Sequence, residues 1–215
     1  MKGIFDWDSP LIQKLARLTD LVALNILWLL CCIPVFTAGA ATTALYYTVF
    51  QYLAGESDEI FRPFFRSFGQ NFKQATLLWL PLLMLLVLLV FDGLFLTING
   101  GNAVLWIAFI ALTWVFLMPH TYLFPLLARY EMKTKALLST SVSLFMLHLP
   151  TSLLMAAMNL LPVVLMLFAP ADFLRWSILW IGLWFSLVAY LNGKLLLKIW
   201  SKHIPNQDVE AVSVE

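Results

Sequence analysis

The few residues of this chain that could do chemistry lie mostly inside long apolar runs, and His120 is the most prominent of them. It follows Pro119 and precedes Pro125. Prolines in a membrane helix free backbone carbonyl groups, and an ionisable residue inside a membrane is a candidate functional group. We therefore take His120 as the leading candidate for a polar site, with a structural role near the inner membrane interface as the alternative.

Three uncharged polar residues could share a site with His120. Asn25 and Asn159 fall near the middle of apolar runs, where an unpaired amide costs appreciable free energy. Each amide is expected to be hydrogen-bonded to another helix, and the alternative is that it lines a substrate path. Together with Thr42 and His120, these residues would form a polar cavity if the protein were a small transporter or channel.

The sequence has no signature of an enzyme, a metal centre or a cofactor site. It contains no His-Glu-x-x-His, Gly-x-Ser-x-Gly or P-loop motif. Cys31 and Cys32 are adjacent, which rarely suits a disulfide, and no second cysteine pair exists to complete a zinc site. We expect a non-enzymatic protein with no catalytic, cofactor-binding or metal-binding residues.

The composition is that of a membrane protein. Of the 215 residues, 62% are hydrophobic and 12% are charged, and the mean hydropathy is +0.88. A soluble globule of this length cannot hide so much apolar surface, so the lipid bilayer is the expected partner. The net charge of +1 argues against a nucleic-acid partner.

The apolar runs predict an all-α bundle that crosses the membrane. Residues 60–73 have the character of an amphipathic helix at the membrane surface, and residues 136–148 that of a second surface helix or a half-buried helix. The prolines, glycines and polar stretches between the runs divide the rest into six membrane segments, of which the first two are short. These segments are roughly 20–36, 39–53, 74–96, 103–128, 149–169 and 176–196.

The basic residues predict the orientation. Of the 13 Lys and Arg residues, only Arg175 falls outside the loops and ends that the six segments place on the inner side. Under the positive-inside rule, both termini are therefore cytoplasmic in a multi-pass protein. The first two segments either cross the membrane as a hairpin or dip into it and return. Both arrangements leave the basic residues before and after this pair of segments on the inner side, so the charges do not decide whether residues 39–53 cross.

Small residues follow the break at Pro34. Gly39, Ala40, Thr43 and Ala44 are spaced so that another helix backbone can approach closely. We expect them to pack within the chain, and a dimer interface is the alternative.

The domain organisation is simple. We expect one transmembrane domain over residues 1–204 and a polar tail over 205–215. The order of second segment, surface helix and third segment recurs in the fourth segment, second surface helix and fifth segment, which leaves open a weak internal repeat.

Five short stretches of the N-terminal half stand in a characteristic order and spacing. They are LNILW at 24–28, IPVFTAG at 33–39, ALYY at 44–47, FFRSF at 64–68 and NFKQA at 71–75. In these stretches the chain resembles the N-terminal half of the YesL-like family of bacterial integral membrane proteins of unknown function. The resemblance implies a bacterial inner-membrane protein with an accessory role in carbohydrate transport. A sugar-transport permease is then the expected partner, and self-association is the alternative.

Three functional hypotheses follow. The first is a non-enzymatic accessory or regulator of carbohydrate transport. The second is a small transporter or channel with a polar site around Asn25, His120 and Asn159. The third, an intramembrane enzyme, would need His120 to meet an acid or a metal ligand that the sequence does not offer.

Overall fold

The computed structural model describes residues 10–57 and 59–203, and the regular structure there is helical. This confirms the predicted all-α bundle. The predicted tail at 205–215 lies outside the described residues. The α-helices are α1 (Pro10–Cys32), α2 (Ala38–Ala54), α3 (Phe61–Asn99), α4 (Ala103–Arg129), α5 (Thr134–Leu147), α6 (Leu149–Phe168), α7 (Pro170–Arg175), α8 (Ser177–Leu179) and α9 (Phe185–His203). A 3₁₀ turn (Val35–Thr37) precedes α2, and a π-helical segment (Trp180–Trp184) joins α8 to α9.

Five stretches are long and apolar enough to cross a membrane. Helix α2 is not one of them, because it has only 17 residues and carries several hydroxyl side chains. The count of six crossings and the cytoplasmic position of both termini therefore stay predictions. The five stretches are Leu15–Cys32, Phe61–Asn99, Ala103–Arg129, Leu149–Met166 and Ser177–Ser201.

Helix α2 lies at the centre of the bundle. It packs against α1, α3, α4 and α9, and more than half of its residues are buried. The four small residues Gly39, Ala40, Thr43 and Ala44 are all buried within the single chain. The sequence left two roles open for these small residues, packing within the chain and a dimer interface. In this structure they pack within the chain, where α2 contacts α3 and α4 as well as α1.

Gly39 sets the distance between α2 and α3. A Cβ atom added at Gly39 would lie 2.5 Å from the Trp79 Cβ and 2.8 Å from the Ala75 carbonyl oxygen. Non-bonded carbon atoms do not approach so closely, so only glycine fits at this crossing. On its other side, the same Cβ would be 3.1 Å from the Phe124 ring of α4.

The expected surface helix at 60–73 is wrong as a separate element. Residues 61–73 are the first turns of α3, which continues without a break for 39 residues, about 58 Å. Phe64 and Ser67 are buried, while Arg62 and Phe65 face outward. The segment therefore has a protein partner along one face, and no residue near 74 interrupts the helix.

Helices α2 and α3 are antiparallel along the whole of α2. Ile60, just before α3, lines one crevice together with Tyr52 near the end of α2, and Trp79 lies beside Gly39 at the start of α2. The second half of α3 continues past the start of α2 and pairs with α4, where Gly93 meets the Phe109 ring. We call residues 80–99 and 103–118 the apolar hairpin.

The predicted second surface helix at 136–148 corresponds to α5. It runs antiparallel to α4, with Phe145 packed edge-on against Trp114 at 5.8 Å between ring centroids. The helix ends at Leu147 with His148 as its C-cap, and Pro150 lies in the first turn of α6. The hairpins α2–α3 and α4–α5 thus occur in the same order along the chain. They differ in that α3 is one continuous helix, whereas α5 and α6 are two separate helices. The internal repeat stays an open possibility.

The variant Gly39→Ala tests the contact between α2 and α3. Overpacking at a crossing that has no free space should lower the free energy of unfolding by about 1–3 kcal/mol. Gly69→Ala is the matched control, because Gly69 lies in the exposed part of α3 with nothing within 4 Å of an added Cβ. Unfolding in mixed micelles with increasing SDS, followed by tryptophan fluorescence, measures both. Equal stability of the two variants would contradict the close packing at Gly39.

Candidate functional site

Asn25 on α1 is fully buried and holds the π-helical segment of the last helix. Its amide nitrogen Nδ2 donates to the carbonyl oxygens of Trp180 (3.2 Å) and Ile181 (2.7 Å). Its Oδ1 accepts a hydrogen bond from the backbone N–H of Ser186 (3.0 Å). Both ends of the amide are therefore used in bonds to another helix.

The π-helical segment explains why an amide is needed there. In a π-helix each N–H reaches one residue further back than in an α-helix, so the transitions at its ends leave backbone groups without regular partners. Asn25 supplies a donor at the start of the segment and an acceptor just after its end. The Ser186 hydroxyl adds a second link by donating to the Leu21 carbonyl oxygen at 2.6 Å. Asn25 and Ser186 together fix α1 against the last helix.

A second buried polar cluster joins α2, α6 and α9 around the hydroxyl group of Tyr46. Asn192 Nδ2 donates to this hydroxyl at 3.2 Å, and the side chain of Asn159 also interacts with it. Asn159 Nδ2 donates in addition to the Met155 carbonyl oxygen of its own helix, at 2.9 Å. Tyr46 and Asn192 were not among the candidate residues predicted from the sequence. Asn192 could have been found, because it lies in an apolar run as Asn25 and Asn159 do.

Thr42 takes part in packing between α2 and α1. Its hydroxyl donates to the Ala38 carbonyl oxygen (2.7 Å) and accepts from the indole N–H of Trp28 (3.2 Å). The Trp28 ring in turn packs on Phe185 of α9, with 4.5 Å between the centroids. This threonine is thus part of a contact among three helices.

His120 lies in an aromatic environment on α4. Its ring stacks on Phe116 at 4.9 Å and lies 6.1 Å from Trp79 and 5.8 Å from Phe124. Its Nδ1 atom is buried and has no hydrogen-bond partner among the residues that the structure describes. Trp79 uses its own indole N–H elsewhere, donating to the Val35 carbonyl oxygen at 2.8 Å.

The four predicted site residues do not converge on one cavity. Asn25 and Thr42 belong to neighbouring contacts of α1, Asn159 belongs to the Tyr46 cluster, and His120 lies beside Trp79. One apolar crevice among the described residues is lined by Leu24, Thr48 and Tyr52, and an open groove runs along α3 from Met84 to Phe91. Neither recess includes any of the four. In the described ranges, no group of three His, Cys, Asp or Glu residues could hold a metal ion.

Arg129 makes a further contact that the sequence argument missed. Its guanidinium lies 6.0 Å from the Phe50 ring, 5.9 Å from the Tyr130 ring and 5.4 Å from the Trp200 ring. Cation–π attraction of this kind stabilises by about 0.5–2 kcal/mol at partly exposed sites. The arginine therefore ties the ends of α2, α4 and α9 together.

Comparison with known proteins gives a resemblance to a family but no function. Residues 21–93 match a family described as a protein of unknown function, DUF624. The uncharacterized protein YesL of Bacillus subtilis (strain 168) is 27% identical over 141 residues, which cover 64% of this chain and 67% of that protein. No solved structure matches the chain. The matched region contains the turn after α1, all of α2 and most of α3.

The variant Asn25→Leu tests the clamp on the π-helical segment. Loss of the amide removes its hydrogen bonds to two carbonyl oxygens and one N–H, so we expect the free energy of unfolding to fall by about 1–3 kcal/mol. Asn71→Ala is the matched control, because Asn71 bonds only to Ser67 in its own helix. Hydrogen exchange at the Ser186 amide should speed up in the first variant alone. Unchanged exchange there would contradict the clamp.

The variant Tyr46→Phe tests the second cluster. It removes the hydroxyl group that Asn192 contacts, and we expect destabilisation of about 1 kcal/mol, as for other hydrogen bonds between membrane helices. Tyr47→Phe is the control, since the Tyr47 hydroxyl accepts only from Gln51, one turn away on α2. The SDS unfolding assay separates the two variants. If Tyr47→Phe costs as much as Tyr46→Phe, the Tyr46 cluster does not join the helices.

Proposed function

We propose that this YesL-like protein is a non-enzymatic accessory or regulator of carbohydrate transport in the bacterial cell membrane. The family has no known activity, so the proposal combines two kinds of support. The carbohydrate part comes from the family resemblance in the sequence. The accessory part comes from the use of the polar residues in packing.

The observation that carries the proposal is the use of Asn25. A residue that lines a transport path must exchange partners with the substrate, whereas Asn25 has both its donor and its acceptor committed to the last helix. Thr42 is committed to Trp28 in a similar way, and Asn159 to Tyr46 and its own helix. Polar groups that are hydrogen-bonded between helices are not free to bind a substrate, so they fit a rigid scaffold better than a carrier.

A scaffold acts through its surface, and α3 offers a regular one. Met84, Val87, Leu88 and Phe91 recur at the spacing of one helix face, and we call them the α3 stripe. All four are exposed, Met84 at 76% and Phe91 at 68%. A groove runs among them. Large, adaptable side chains at this spacing fit a transmembrane helix of a sugar-uptake permease.

The alternative function is a small transporter. Two buried atoms favour it, because the Oδ1 of Asn192 and the Nδ1 of His120 lack partners within the described part of the chain. The two atoms belong to different clusters, however, so a path through both would need the α2–α4 packing to open.

Photo-crosslinking in native membranes tests the accessory function. Benzoylphenylalanine in place of Met84 should give an adduct with a permease, identified by mass spectrometry. Ile107 is the matched control, because it is exposed on the other helix of the apolar hairpin. We expect an adduct from position 84 and only lipid products from position 107.

A functional measurement accompanies the crosslinking. The double variant Met84→Ala, Leu88→Ala should lower the amount of co-purified permease roughly tenfold, since two interface side chains are lost. Ile107→Ala with Ile110→Ala should leave it unchanged. Sugar uptake should fall only in the first case. Two results together would contradict the accessory role: only lipid adducts form at position 84, and deletion of this protein leaves the sugar uptake of the cells unchanged.

A further inference from the structure

The turn between α1 and α2 lies far below the end of the apolar hairpin. It is level with Trp79, whose indole N–H donates to the Val35 carbonyl oxygen. Helix α3 continues for twenty residues beyond Trp79, to Asn99. At 1.5 Å per residue this is about 30 Å, and a helix tilted by 40° would still rise about 23 Å. The hydrocarbon core of a bilayer is about 30 Å thick, so a turn at this level lies close to its near surface.

The apolar hairpin is built to lie in lipid. Its outward side chains are almost all large and hydrophobic, and immersion of such a surface in water would be very unfavourable. The loop at 100–102 therefore marks the far surface of the membrane. The exposed side chains include Leu80, Met84, Val87, Leu88, Phe91, Leu94, Phe95, Ile98, Val104, Leu105, Ile107, Ile110 and Val115.

The tip of the turn is equally apolar. Ile33 is 73% exposed, Val35 is 56% exposed and Phe36 is 50% exposed, and residues 33–37 contain no charged side chain. A loop that ended in water would normally carry polar groups such as those of the 99–102 loop. This tip offers only hydrocarbon to its surroundings.

Several backbone carbonyl groups of the turn are hydrogen-bonded within the protein. The Thr37 hydroxyl contacts the Cys31 and Pro34 carbonyl oxygens, and the Thr37 N–H donates to Pro34 at 2.8 Å. The Val35 carbonyl oxygen accepts from Trp79 and from the N–H of Ala38. Irregular backbone exposed to lipid does not occur deep in the hydrocarbon core, so a turn with these bonds can lie only near the surface of that core.

The hydroxyl groups of helix α2 are also bonded inside the protein, as Thr43 is to Gly39 (3.0 Å) and Thr48 is to Ala44 (2.9 Å). A 17-residue helix of this polarity is a poor membrane span by itself. Because α2 is enclosed by α1, α3, α4 and α9, its first turns, which follow the tip, can lie at membrane depth with little contact with lipid.

We propose that the α1–α2 hairpin is re-entrant: residues 33–36 end just inside the near surface of the membrane, where their side chains contact lipid acyl chains, and both ends of the hairpin lie on that near side. The inference does not depend on the proposed transport role. It selects one of the two arrangements that the sequence left open for residues 39–53.

Cysteine labelling from both sides of the membrane tests the proposal. The background is the full chain with Cys31→Ala and Cys32→Ala, checked for folding by gel filtration in detergent. Val35→Cys probes the tip, Asn99→Cys the far loop, and Gln70→Cys the exposed near part of α3. A membrane-impermeant maleimide is applied to right-side-out and inside-out vesicles. A spin label at position 35 is then tested for collision with oxygen and with a water-soluble nickel chelate.

The re-entrant turn predicts labelling of positions 99 and 70 from opposite sides. Position 35 should react at least about tenfold more slowly from either side, because the thiol does not ionise in lipid. Its spin label should collide with oxygen but not with nickel. Labelling of position 35 from the side of position 99 would show a crossing hairpin, and labelling from the side of position 70 would show a tip in water. A spin label shielded from both collision partners would show a tip covered by protein. Each of these results would overturn the proposal.

Discussion

The close approach of α2 to α3 at Gly39 is the constraint on which the rest of the bundle depends. Because the missing side chain lets α2 lie against the Cβ of Trp79, the indole N–H of Trp79 can reach the turn at Val35. The same indole ring contacts Phe124 and His120 of α4. One glycine and one tryptophan thus set the position of α1, α2, α3 and α4 relative to each other.

Hydrophobic burial does not hold helices together in lipid as it does in water, so polar and small side chains must do more of the work. Asn25 with Ser186 joins α1 to the last helix, Tyr46 with Asn192 joins α2 to α9, and Arg129 joins three helix ends. These contacts lie around α2 and leave the apolar hairpin with few partners inside the chain. That division, a fastened core and a projecting apolar surface, is what a membrane scaffold needs.

The sequence predicted the features that depend on local pattern. The apolar runs gave the long helices, the spacing of small residues gave the packing face of α2, and the isolation of Asn25 predicted a bond to another helix. It failed where distant segments decide the outcome. The continuity of α3 through 61–73 follows from the burial of Phe64 in the bundle. The π-helical segment at Trp180–Trp184 has no local sequence signal and is matched to Asn25 more than 150 residues away.

The offset between the two turns tests this account most directly. Spin labels at Val35→Cys and Asn99→Cys, in the cysteine-free chain reconstituted in lipid, give the distance by double electron–electron resonance. Packing of Gly39 against Trp79 predicts a separation of about 30 Å, set by the twenty residues of α3 that lie between the two levels. A distance below about 20 Å would place both turns at the same face of the membrane and contradict the account.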